Sequence, residues 1–135
     1  MTADAHTSKA PIFPTAVRHG DTIYTSGLAA VDLVTLTPTS RDFDTQCAVV
    51  LAQLDAALAD AGSSRADVVK LECFLADRVH FRAWNQAFTE FFLGSVAGST
   101  GVGVPARTTT ITTLPIDGLL IEIQAIARTS KESTS

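Results

Sequence analysis

The sequence predicts one α+β domain, a mixed sheet carrying two helices on one face, with elements in the order ββ(β)αβαββ. Three observations carry this. Between Asp44 and Ala61, the residues Cys47, Val50, Leu51, Leu54, Leu58 and Ala61 recur at three- and four-residue steps, the stripe of an amphipathic helix. Phe81, Trp84, Phe88, Phe91 and Phe92 repeat that spacing in a second segment. Around them, short runs alternate at period two, as half-buried strands do. Helices that each follow sheet elements cover one sheet face together and leave the other open.

Taken in order, Ala16 to Arg18 and Thr22 to Ala30 read as strands around the turn His19-Gly20-Asp21. Asp32 to Ser40 is a loop or a short third strand. The first helix, Asp44 to Ala61, stops at Gly62-Ser63-Ser64. Val68 to Leu75 sets Val69, Leu71 and Cys73 against Lys70 and Glu72, a strand with one wetter face. Asp77 stands near the start of the second helix. Leu93 to Val104 holds four glycines and is expected to be a loop. Arg107 to Leu114 is a Thr-rich strand, Pro115 to Gly118 a turn, and Leu119 to Ala127 the last strand. Residues 1–10 and 129–135 are small and polar and are expected to be loose tails around a single domain over 11–128.

Composition removes several function classes. The net charge of -4 works against nucleic acid and anionic membranes, which are met by clustered Lys and Arg. Cys47 and Cys73 lie far apart, with no histidine at ligand spacing, so no metal site and no disulfide is expected. Both read as buried small hydrophobes. His6, His19 and His80 are scattered. Gly98 to Gly103 lacks the Lys-Ser/Thr ending of a phosphate loop and opens no helix, so no nucleotide cofactor is expected. No stretch approaches the ~20 apolar residues of a membrane helix, and a cytoplasmic setting is the default. Hydrophobic residues at 46% against 18% charged exceed what a small monomer covers, which points to apolar surface between subunits.

One pair carries chemistry. Glu122 interrupts the apolar run Leu119 to Ala127, where a carboxylate is costly to desolvate unless a cation, a hydrogen bond or a substrate meets it. Arg107, after Pro105-Ala106, is the candidate to share its site. Alternation puts Glu122 and Gln124 with Leu120 and Ile126, on the face expected to hold a subunit interface and the cleft. Arg107 and Glu122 are either a structural ion pair or a functional site. Burial raises the pKa of such a glutamate and a neighbouring arginine lowers it, so its resting state stays open.

Several stretches resemble the Rid or YjgF-like reactive-intermediate (enamine/imine) deaminases. They are Ile23-Tyr24-Thr25-Ser26-Gly27, Ala61-Gly62-Ser63-Ser64 with Asp67-Val68-Val69-Lys70, Phe81 to Phe92 with Asn85, Pro105-Ala106-Arg107, and Ile121 to Ala127. They keep the family's order over roughly residues 11 to 128. The resemblance implies a chorismate-mutase-like fold, a homotrimer with clefts between subunits, and cofactor-free hydrolysis of a carboxylate-bearing imine or enamine to an oxo acid and ammonia. It assigns Arg107 to the substrate carboxylate and Glu122 to the hydrolytic water. Ser26 and Gly27 fall on the pocket wall. Asn85 falls near the cleft, although as a residue it reads equally well as a helix cap or cross-link. Phe13 stands where better-known members carry a tyrosine, and Thr109 where many carry a cysteine. The glycine-rich loop is also longer than usual. A pathway-specific deaminase of a larger enamine acid and a non-catalytic carboxylate-binding trimer are the alternatives. The ribonuclease role sometimes attached to the family fits poorly with an acidic chain.

Overall fold

The structure, a computed structural model, describes residues 13–94 and 104–130. It has the mixed α+β architecture expected. Strands β1 (Ala16–His19), β2 (Thr22–Thr25), β6 (Val68–Leu75), β7 (Ala106–Ile111) and β8 (Ile121–Arg128) form the main sheet in the order β1-β2-β8-β6-β7. A two-residue β3 (Leu28–Ala29) also pairs with β8. β4 (Val31–Asp32) and β5 (Thr37–Pro38) make a small separate ribbon. Among the described residues only β6 and β7 run parallel, joined by helix α2 (Phe81–Gly94); the other pairings are antiparallel.

Helix α1 (Phe43–Asp60) begins where Asp42 accepts a 2.9 Å hydrogen bond from the Thr45 amide, which satisfies one free N–H of the first turn. It ends at Gly62, whose φ of 84° turns the chain so that the Ser63 amide reaches back to the Leu58 carbonyl. Val50, Leu54 and Leu58 of α1 and Trp84 and Phe92 of α2 are fully buried against Leu71 and Leu75 of β6 and Ile121 and Ile123 of β8. Each such aliphatic side chain contributes about 1.5–3 kcal/mol by leaving water. Cys47 and Cys73 are free and buried in this core; desolvation pushes the Cys47 thiol up to about 11 and raises that of Cys73 further.

Several expectations need correction. The run read as one strand over Thr22 to Ala30 breaks at Ser26-Gly27, because the Ser26 amide donates to the Thr15 carbonyl and the Thr25 hydroxyl takes the Ala125 amide. A register shift between Val68 and Lys70 turns Val69 outward and buries Val68 instead. Phe81 is also exposed rather than on the buried stripe. The last strand starts at Ile121, since the Leu120 amide goes to the side chain of Gln46. Thr129 and Ser130 are held, by the Asp21 and Gly62 carbonyls, and do not hang free. Leu93 and Gly94 close α2; residues 95–103 of the glycine-rich segment, residues 1–12 and residues 131–135 lie outside the described residues. His6 is among them. His80 stacks on Phe43 with ring centroids 4.3 Å apart. No helix of the described residues is long and apolar enough to cross a membrane.

Candidate active site

The site residues expected from the sequence divide into two groups on opposite faces of the sheet. Arg107 pairs in register with Leu71, a core residue under the helices, whereas Glu122 pairs with Phe74, three positions along the same strand. Neighbours in register share a face and successive residues alternate, so Arg107 points to the helix side and Glu122 away from it. The expectation that the two meet in one site is therefore not fulfilled within a single chain. A structural ion pair between them within one chain is excluded by the same geometry.

The first group is built on the break between β2 and β3. A groove of about 950 Å3 runs beside α1 at this end of the sheet, and Phe13, Ser26, Gly27 and Glu122 all line it. The Ser26 hydroxyl donates to the Pro14 carbonyl at 2.6 Å, which fixes the segment bearing Phe13; the Phe13 ring is half exposed. Gln53 of α1 donates to the Ala29 carbonyl at 3.1 Å and holds β3 in place opposite Glu122. Gly27 lets the Glu122 carboxylate approach its Cα: a Cβ there would overlap Oε2 and lie 3.0 Å from the carboxyl carbon. Among the described residues no donor bonds the Glu122 carboxylate, and burial raises its pKa. Within a single chain Arg107 is not beside it to oppose that shift.

The second group sits on edge strand β7 beneath α2. The Arg107 guanidinium lies 4.7 Å from the centroid of Phe88, 5.8 Å from that of Phe81 and 5.9 Å from that of Trp84. Among the described residues it has no carboxylate partner; the ion pair found there joins Arg65 to Asp55, with Arg65 also 3.6 Å above the Phe91 ring. Thr109, two residues on, shares the Arg107 side, but its hydroxyl is engaged by the Trp84 indole N–H at 3.1 Å. Asn85 is exposed between Phe81 and Phe88 on the helix surface; its side chain neither caps nor cross-links among the described residues, although its carbonyl accepts from Thr89. Gln124, on the open face with Glu122, donates to Glu72.

Sequence reasoning missed the aromatic surround of Arg107. Its signal was present as the Phe81, Trp84 and Phe88 spacing, but helical spacing marks a face without saying which strand lies under it. Among the described residues no cluster of histidine, cysteine and carboxylate groups could hold a metal ion.

Residues 3–129 match the model of the family described as Endoribonuclease L-PSP. The chain is 32% identical over 126 residues to a RutC family protein of Pyrococcus abyssi, covering 90% of this chain and 92% of that one. A RutC family protein of Saccharolobus solfataricus is 32% identical over 129 residues, covering 92% and 95%. Among solved structures, a conserved Rid family protein of unknown function from Yersinia pestis superposes with a TM-score of 0.73 at 27% identity, over 88% of this chain and 89% of that chain.

Proposed function

This chain belongs to the endoribonuclease L-PSP family, the Rid/YjgF proteins, and we propose that within it the protein is a cofactor-free hydrolase of imines and enamines. The substrate class is a 2-imino acid, which takes up water and leaves as a 2-oxo acid and ammonia. One observation carries this reading: in a chain of this family, a half-buried carboxylate without a hydrogen-bond donor and an aromatic-bound guanidinium without a carboxylate stand unpaired with each other among the described residues of one chain.

In this scheme Arg107 holds the substrate carboxylate, because its planar fork makes paired, charge-assisted hydrogen bonds that a lysine would not. Glu122 holds the water, takes its proton as the C–O bond forms, and returns a proton to the nitrogen as the C–N bond breaks. Desolvation moves its pKa toward neutrality, where a group serves best in both directions. The Gly27-lined groove places the water; bringing water to an already electrophilic carbon is a large part of the barrier.

A complete site then takes Arg107 from one copy and the Glu122 groove from another, so a homotrimer in a cytoplasmic setting is part of the same proposal. Its support is the position of Arg107 on an edge strand and the apolar open face, where Val17 pairs with Tyr24 and both are about half exposed. The size of the groove favours, as a second reading, a larger enamine acid over the smallest imino acids. A ribonuclease role lacks a basic surface at net charge -4.

The test couples the protein to a dehydratase that releases 2-imino acids from serine or threonine and follows oxo-acid formation above the spontaneous rate. Acceleration that disappears in Arg107→Ala, with fold and assembly intact, is the expected result. Oxo-acid binding without acceleration on any imine would make the protein a binding module instead.

A further inference from the structure

We infer that Phe88 is a positioning residue for Arg107: its ring face carries the guanidinium in place of a carboxylate, so that the charge stays unneutralised and its N–H fork stays free for an incoming anion. This rests on the reading of Arg107 as the group that grips the substrate carboxylate.

The geometry points to Phe88 among the three rings. Its centroid is nearest to the guanidinium, at 4.7 Å against 5.8 Å for Phe81 and 5.9 Å for Trp84. It is buried while Phe81 is exposed, and burial of the ring strengthens a cation–π contact. The ring is itself held, edge-on to Trp84 at 5.7 Å and tilted against Phe92 at 4.9 Å. The Trp84–Thr109 hydrogen bond ties α2 to β7 two residues from Arg107 and keeps ring and guanidinium in register. An acid in place of Phe88 would fix the guanidinium just as well, but it would occupy the N–H donors that a substrate needs. An aromatic face attracts the cation from above its plane and leaves the in-plane donors open.

The test replaces Phe88 in the full-length protein with 4-fluoro-, 3,5-difluoro- and pentafluorophenylalanine, which weaken the ring's attraction for a cation stepwise with little change in shape. Pyruvate, a 2-oxo acid product, is the binding probe, and imine hydrolysis gives KM and kcat. The expected result is a Kd and KM that rise along the series to about 5- to 10-fold, with kcat within twofold, an unchanged melting temperature, and Phe88→Tyr close to wild type. Constant or tighter binding across the series, while Arg107→Ala abolishes it, overturns the role of Phe88 and leaves that of Arg107 standing. Melting temperatures that fall in parallel with affinity overturn it too, by reducing Phe88 to packing. If the wild-type protein binds no pyruvate and Arg107→Ala behaves like it, the reading of Arg107 falls and the inference with it.

Discussion

Glu122 rests against the bare Cα of Gly27, closely enough that no side chain fits between them. This contact joins β8 to the break between β2 and β3, and it sets where the carboxylate points into the groove. Gly27→Ala is expected to push the carboxylate aside. The clashing atoms are the far end of a flexible side chain, so the fold should absorb the change with a small loss of melting temperature. Turnover should fall about tenfold or more, since misplacing a catalytic group by an ångström can cost up to about a hundredfold. Steady-state kinetics beside a thermal melt check this, and an unchanged kcat would remove the contact from the mechanism.

The raised pKa of Glu122 makes a second prediction, about pH. Its folded-state value lies above the ordinary 4.5, so the folded protein binds the proton more tightly than the unfolded chain. The associated stability is fully present below 4.5 and is lost as pH rises through the raised folded value. Glu122→Gln does not titrate. Its stability relative to wild type should therefore improve as pH rises through that window and then level off. Its turnover should drop by about 10²–10⁴. Denaturant titrations at pH 4 and pH 8 check the first part, and a gap that does not grow with pH sinks it.

Thr109 separates a structural role from a pocket role. Its hydroxyl accepts the N–H of Trp84, which is fully buried, so Thr109→Val keeps the shape and strands that donor. The expected cost is about 1–3 kcal/mol, read by denaturant unfolding. Thr109→Ser, which keeps the acceptor, should lose markedly less. Equal losses in the two variants would mean that the methyl group, and not the hydroxyl, matters.

The fold was legible because its signals are periodic. The stripes of α1 and α2 and the alternation in β6 and β8 state which face is buried, and the structure puts those faces in the core. Breaks in period were harder to read. The apolar pattern runs straight through Ser26-Gly27, and only the Ser26 amide's bond to Thr15 shows that the strand ends there. Val69 looked inward for the same reason, until a one-residue slip in pairing reversed it. For the site, residue types were readable but sidedness was not. Whether Arg107 and Glu122 share a face depends on how β7 and β8 are each registered against β6, and register between distant strands is not written in either strand alone. The polar groups that set the loops, such as Gln46, were also invisible, because an amide inside a helical stripe gives no hint of partners some seventy residues away.

Gln46 is fully buried on α1 and makes three hydrogen bonds: it donates to the Ser40 and Gly118 carbonyls at 2.8 and 3.0 Å and accepts from the Leu120 amide at 2.8 Å. It thereby ties the start of α1 to the chain that leads into β8 and Glu122. Gly118 itself has a φ of 90° and packs so close to Pro38 and Arg41 that a side chain there would clash. Gln46→Leu has similar volume but leaves three backbone groups without partners. Stranded polar groups cost about 1–3 kcal/mol each, and water reaching the loosened turn recovers part of that, so a net loss of about 2–4 kcal/mol is expected. For a domain of this size that corresponds to roughly 10 °C in melting temperature. Because the turn precedes β8, turnover should also fall while Arg107-dependent binding of oxo acids is retained. A thermal melt, with pyruvate binding and kcat on the same sample, checks both halves; a loss below about 0.5 kcal/mol, the range of ordinary surface substitutions, would show that the turn holds without the amide.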